Sequence, residues 1–241
     1  MTNSLDKITS KSNPKVKEVC RIKDDPRAEL FLLEGKHLAD MAYEADCLLE
    51  VYSVKEVSYP GVKVTLVSED VLKKLAVSNS PSLLVGLAKK AEIAPKGKKT
   101  LILDRVQDPG NVGTLLRTAL AFGYDEVVGL PGTASFYSSK VIAASQGAIF
   151  HLSLVEPSDP LIYIRNKKEQ GYRIYGSALR NAVNLQDVPP QEGPFALILG
   201  NEGRGMDEKL LEECDLVIKI EMEGIESLNV GVAGGILMYR L

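Results

Sequence analysis

The chain has 241 residues, 45% hydrophobic and 25% charged, with 20 Gly, 12 Pro and no Trp, a balance that suits a globular protein and excludes a disordered, collagen-like or disulfide-scaffold one. At roughly 150 residues per domain, this length suits one large domain or two modest ones. A formal net charge of −3 excludes a uniformly basic nucleic-acid binder.

The first 17 residues contain no apolar block, and no stretch approaches the roughly 18 uninterrupted apolar residues of a membrane span. The expectation is a soluble, cytoplasmic protein with no membrane attachment. Three cysteines (Cys20, Cys47, Cys214) and two histidines (His37, His151) lack the spacing of a disulfide framework or a metal site. Zinc and iron chemistry is therefore not expected.

The charge is uneven. Residues 1–27 hold seven bases (Lys7, Lys11, Lys15, Lys17, Arg21, Lys23, Arg27) and four acids, a net +3 that leaves −6 for the remainder. This arm reads either as a strip lying along a phosphate backbone or as a solvated terminal helix. Next, FLLEGKHLADMAYEA (31–45) runs from a short strand into a helix, and strands follow at 48–54, 62–68 and 83–89. A helix at 69–76, capped by Ser68, separates the last two strands. The Pro-, Gly- and Lys-bearing stretch 91–99 reads as a linker, dividing a small α/β domain (1–95) from a second one (96–241).

The second half alternates strands at 100–104, 126–130, 173–179, 195–200 and 216–222 with helices at 111–122, 138–147, 158–170, 207–213 and 228–239. Short, nearly all-apolar strands between helices predict a parallel sheet covered on both faces, with a ligand beyond the carboxyl ends of the strands. A P-loop is absent, and GNEGRG (200–205) has its glycines in the wrong order for a dinucleotide fingerprint, although it directly follows a strand.

DRVQDPGNVGTLLRTALAFGY (104–124) carries more information. Asn111 reads as the helix cap, and Val112, Leu115, Leu116, Ala119 and Leu120 share one face. The opposite face shows Gly113, Thr114, Thr118 and Ala121, with Arg117 as the one charge between 111 and 124. Such a face is expected to be covered by a ligand or partner, and an isolated Arg suits an anion such as phosphate, unless a neighbouring carboxylate pairs it. SLNVGVAGGILMYRL (227–241) is uncharged from Ser227 to Tyr239 and contains Gly231, Gly234 and Gly235. It reads as a helix buried on all sides, partly by a second subunit, or else as the core helix of a monomer.

Taken together, NVGTLLRTA (111–119), LILGNEGRGM (197–206) and IEMEGIESLNVGVAGGILMY (220–239) resemble, in order and content, the three motifs of the SpoU or TrmH-like RNA ribose 2′-O-methyltransferases of the SPOUT superfamily. The first half, with FLLEGKHLADMA, resembles the ribosomal-protein-like substrate-binding lobe that precedes this domain in many members. The resemblance implies a parallel-sheet SPOUT catalytic domain with a C-terminal trefoil knot, a homodimer, S-adenosylmethionine as cofactor and ribosomal or transfer RNA as substrate. It also implies that Leu199, Gly200, Ile220 and Leu228 hold the cofactor, and that Asn111, Arg117, Glu202, Ser227 and Asn229 are the active-site polar residues. Gly231 departs from the family's usual SLNVSVA, and the chain stops at Leu241, so no C-terminal extension is expected to bind RNA.

On this reading Arg117 clamps a phosphate and favours the developing alkoxide, because a guanidinium with a pKa above about 12 is a poor general base. Asn111 orients that Arg or the ribose, Glu202 fixes the second loop, and Ser227 and Asn229 order the third. RNA would be held by the basic arm and small lobe, with Lys96, Lys98 and Lys99 nearby. The rivals are an inactive RNA-binding or ribosome-assembly factor of the same fold and an unrelated nucleotide-binding α/β enzyme.

Overall fold

A computed structural model describes residues 7–25, 28–78 and 82–241. The chain packs into two compact units, 1–92 with 137–150, and 93–136 with 151–241. Arg27 of the basic arm lies outside the described residues.

The first unit runs α1 (Pro14–Asp24), β1 (Leu30–Glu34), α2 (Lys36–Glu44), β2 (Leu48–Ser53), β3 (Lys63–Leu66), α3 (Glu69–Leu75) and β4 (Leu84–Lys89). Its sheet has the order β1-β4-β2-β3, with β4 antiparallel to both neighbours and β2 parallel to β3. Alternation along β1 assigns its faces. Leu32 joins Val16 and Val19 of α1 and Val71, Leu72 and Leu75 of α3 in one core, while Phe31 and Leu33 point to the other side.

The described part of the terminal arm, 7–25, is neither free nor merely solvated. Asn13 caps α1 by accepting from Lys15 N at 2.9 Å, Pro14 supplies a preset first position, and Val16 and Val19 are buried. Lys15 Nζ sits 2.5 Å from Glu50 Oε1, and Lys23 Nζ donates to Ala76 O at 2.5 Å. Lys15 and Lys23 are thus committed to the fold and Lys11 Nζ lies 3.5 Å from Asp70 Oδ1, whereas Lys17 and Arg21 remain exposed. Glu50, on the central strand β2, also accepts from Tyr52 OH at 2.8 Å and Thr65 Oγ1 at 3.0 Å. Burial pushes its carboxyl upward, but the bonds from Lys15, Tyr52 and Thr65 outweigh that and hold it below the usual range.

The second unit opens with β5 (Lys99–Leu103), α4 (Pro109–Ala121) and β6 (Glu126–Gly129). After β6 the chain contributes α5 (Ser139–Ser145) to the first unit, where Phe31 meets Tyr137 and Phe150 at ring-centroid distances of 5.1 and 6.1 Å. Gly147, at φ 89°, lies so close to α2 that a Cβ would fall 2.1 Å from Met41 Sδ. The second unit then adds β7 (Ser153–Val155), α6 (Pro160–Glu169), β8 (Arg173–Ser177), β9 (Val183–Asn184), β10 (Phe195–Leu199), α7 (Glu208–Glu212), β11 (Leu216–Lys219) and α8 (Val230–Arg240).

Its seven strands are all parallel, in the order β7-β6-β5-β10-β8-β11-β9. β10 is buried along its whole length, as a central strand covered on both faces must be. Ile102 and Ile198 face the core under α6 and α7, while Leu199 and Leu115 close around Gly234 of α8. β7 and β9, of three and two residues, escape sequence reading because so short a run shows no period. The strand expected through 222 ends at Lys219. The expected linker ends a residue early, because Lys99 begins β5 and lies 5.5 Å over the rings of Tyr124 and Phe195.

Candidate active site

β5 and β10 pair side by side, so the segments leaving their carboxyl ends emerge together. β10 runs into the turn 200–207. A Cβ on Gly200 would fall 2.3 Å from Met206 N and 2.5 Å from Gly205 C, so only glycine fits there. Asn201 and Gly205 exchange two backbone hydrogen bonds of 3.1 and 2.9 Å. Asn201 Oδ1 accepts from Gly203 N and Arg204 N, both at 3.0 Å, and its Nδ2 donates to Arg105 O at 2.8 Å. The turn is therefore closed on itself and tied to the end of β5.

The start of α4 differs from the sequence expectation. Its cap is Asp108, whose Oδ1 accepts from Asn111 N at 2.8 Å, with Pro109 at the first helical position. Asn111 thus stands inside the first turn with its side chain free of capping duty. Its Nδ2 donates to Glu202 Oε1 at 3.0 Å, and its Oδ1 accepts from Asn229 Nδ2 at 3.0 Å. Asn229 Oδ1 in turn caps α8, accepting from Gly231 N at 2.9 Å and Val232 N at 3.3 Å. A carboxylate can only accept, so Glu202 sets which end of the Asn111 amide faces it, and that choice propagates through Asn229 to the helix. One directional chain of hydrogen bonds joins three segments far apart in sequence.

The remaining candidates are placed differently. Arg117 is exposed on a stripe of α4 with Thr114 and Ala121, and among the described residues it makes no hydrogen bond or ion pair. It does not join the Asn111 cluster, because six residues along a helix turn it about 120° away. Ser227 is exposed in the segment between β11 and α8. Leu199 is fully buried, and its carbonyl accepts from Asp104 N at 2.8 Å. Gly200, Ile220 and Leu228 are half-buried. The small residues of α4 admit α8: Thr114 and Thr118 methyls lie 3.5 and 3.8 Å from where Cβ atoms of Gly231 and Gly235 would stand. That face is therefore covered partly by the chain's own last helix. α8 itself is not buried on all sides, since Val232, Ile236 and Tyr239 form an exposed apolar stripe.

Could these turns hold S-adenosylmethionine? Gly205 and Gly224, at φ 70° and 75°, have nothing within 4 Å of a built Cβ, so open space adjoins the backbone of both turns. Half-buried Ile220 and Leu228, on either side of Gly224 in the chain, supply apolar surface. Backbone polar groups with aliphatic walls suit an adenosyl group and a thioether, and the residues present fit the cofactor. Cys214 offers no competing chemistry, because burial pushes its thiol up to about 12. Sequence reasoning missed Asp104, Arg105 and Asn201. The available signal was an acid ending an all-apolar strand with a base immediately after it.

The model of the SpoU rRNA methylase family matches residues 98–239. A Bacillus subtilis protein named 23S rRNA (guanosine(2553)-2′-O)-methyltransferase RlmP is 37% identical over 98% of this chain and 99% of its own length. An rRNA methyltransferase from Sinorhizobium meliloti superposes with a TM-score of 0.86 at 26% identity, covering 97% of this chain and 96% of that one, and its AdoMet-bound structure gives the same values. Fold and site define an S-adenosylmethionine-dependent RNA 2′-O-ribose methyltransferase. The chain belongs to the SpoU rRNA methylase family.

Proposed function

We propose that this enzyme methylates the ribose 2′-hydroxyl of a guanosine in large-subunit ribosomal RNA, as the name of its B. subtilis relative suggests. The observation that carries the site assignment is the Glu202–Asn111–Asn229 chain, which locks the three motif-bearing segments into one arrangement. When bound, S-adenosylmethionine supplies an electrophilic methyl group for in-line displacement. The backbone of Gly200, Ile220 and Leu228 holds it, with Leu199 anchoring the strand below, while Glu202 and Asn111 fix the amide that faces the ribose. Ser227 orders the loop before Asn229.

Arg117 clamps a substrate phosphate and stabilises the alkoxide that develops on the 2′-oxygen as the hydroxyl proton passes late in the reaction to water or phosphate. Its position also supports a homodimer. The exposed stripe carrying Arg117 on α4 adjoins the Val232, Ile236 and Tyr239 stripe of α8, with Tyr239 5.5 Å from Phe122. A second copy seated on this face would bury the apolar stripe and bring each Arg117 towards its partner's site. The first unit, with exposed Lys17 and Arg21, would grip RNA in a salt-dependent way. The finer topology in this reading is the trefoil knot of the C-terminal segment, and the expected location is the cytoplasm.

Mapping 2′-O-methyl groups in ribosomal and transfer RNA from cells with and without the protein tests the substrate. One ribosomal guanosine is expected to lose its methyl group. Loss confined to transfer RNA, or no loss at all, overturns the assignment.

A further inference from the structure

The end of β5 carries a second polar cluster that the active-site chain does not use. Asp104 is 3% exposed, and its two oxygens accept from Arg105 Nε at 2.8 Å and Nη2 at 2.9 Å. Oδ2 also accepts from Asp207 N at 2.8 Å, where the glycine turn ends and α7 begins. Arg105 has φ 57°, a left-handed conformation that strains a non-glycine residue. In that conformation its carbonyl meets Asn201 Nδ2 at 2.8 Å. Its side-chain stem passes Gly132 of the segment after β6 so closely that a Cβ there would fall 3.1 Å from Arg105 Cγ. Its Nη2 reaches Gly205 O at 3.5 Å. One residue therefore touches the segments leaving β5, β6 and β10, and the strained backbone is held by a bidentate ion pair.

We propose that Arg105, locked by Asp104, is a positioning residue that keeps the turn 200–207 in its cofactor-binding shape before S-adenosylmethionine arrives. The proposal rests on the assignment of that turn to the cofactor. The pair grips the turn at three points: through Asn201 near its start, through Gly205 near its end, and through Asp207 where it closes. A turn fixed in advance need not be ordered by the ligand, so the pair acts on affinity and not on the chemical step.

Arg105→Gly separates the guanidinium from the backbone, because glycine adopts φ 57° freely. Three readouts decide: calorimetric affinity for S-adenosylmethionine, kcat and KM for each substrate, and amide hydrogen exchange of residues 203–207 in the cofactor-free full-length protein. Arg105→Gly is expected to weaken cofactor affinity about tenfold, with a matching rise in cofactor KM, kcat within about twofold and faster exchange of the turn. Arg105→Lys, which restores a cation beside Asp104 but not the two-bond fork, should recover only part of the affinity. Unchanged affinity and exchange in Arg105→Gly would overturn the proposal, as would a fall in kcat or a rise in RNA KM with cofactor affinity intact. If the wild-type protein binds no cofactor, the assignment of the turn fails, and hydrogen exchange still decides whether Arg105 holds it.

Discussion

The two compact units use polar groups in opposite ways. In the first, Glu50 sits in the middle of a sheet and is surrounded on the spot by Lys15, Tyr52 and Thr65, so its charge is spent on holding α1 to the strands. In the second, Asp104, Asn111, Asn201, Glu202 and Asn229 gather at or beyond the carboxyl ends of parallel strands and bond between segments 91 to 118 residues apart. A buried carboxylate enclosed by near neighbours builds architecture. Asp104 is as buried as Glu50, but Asn111, Asn201, Glu202 and Asn229 stay partly or fully open at the strand ends with their direction fixed by mutual bonds, an arrangement suited to handling a ligand.

The sharpest break is Arg117→Ala, expected to lower methyl transfer at least about 10³-fold while cofactor affinity stays within about twofold, read by labelled-methyl incorporation and calorimetry. Retention of wild-type turnover would remove Arg117 from the reaction. Asn111→Asp places a second carboxylate against Glu202 Oε1, replacing a 3.0 Å donor contact with repulsion. It should cost about 10²-fold in kcat/KM by misplacing the site, with little change in thermal midpoint.

In the first unit the expected effect falls on stability. Glu50→Gln should lose about 3 kcal/mol at neutral pH in denaturant titrations, with activity per folded molecule unchanged. Because the carboxyl is held below its ordinary 4.5, its contribution is present above that value and disappears as pH falls through the lowered one. The gap between variant and wild type should therefore narrow in acid and hold steady from neutral pH upward. The smallest effect is expected from Gly231→Ser, whose Cβ would stand 3.1 Å from Asn229 Oδ1 and 3.6 Å from Asn111 Oδ1. A shift of a few tenths of an ångström accommodates it, so activity should change no more than about threefold and stability by less than about 1 kcal/mol.

Much of the second unit is legible in the sequence, because all-apolar strands such as FALIL and capped helices leave local signals. Asn111 shows where local reading stops. Asn and Asp are both good caps, and here Pro109 and Gly110 are the first helical residues after Asp108. That error hid the true use of Asn111, since its partners Glu202 and Asn229 lie 91 and 118 residues away and no periodicity links them. Motif resemblance brought those three together, whereas Asp104 and Arg105 lie outside the three motif stretches and their partners emerge only from three-dimensional contacts. In the first unit, two of the arm's lysines read as candidates for a phosphate backbone are committed to Glu50 and to the end of α3. Charge counts cannot distinguish a cation facing solvent from one facing its own fold.

The segment 137–150 has a bearing on how the molecule is made. Phe31 on β1 lacks Tyr137 and Phe150, and Met41 lacks Gly147, until the ribosome has passed the middle of the chain. During synthesis the amino-terminal unit must therefore wait, incompletely sealed, while β5, α4 and β6 are translated. For the same reason it should resist being excised at residue 92 and transplanted, since such a piece leaves behind the stretch that finishes it.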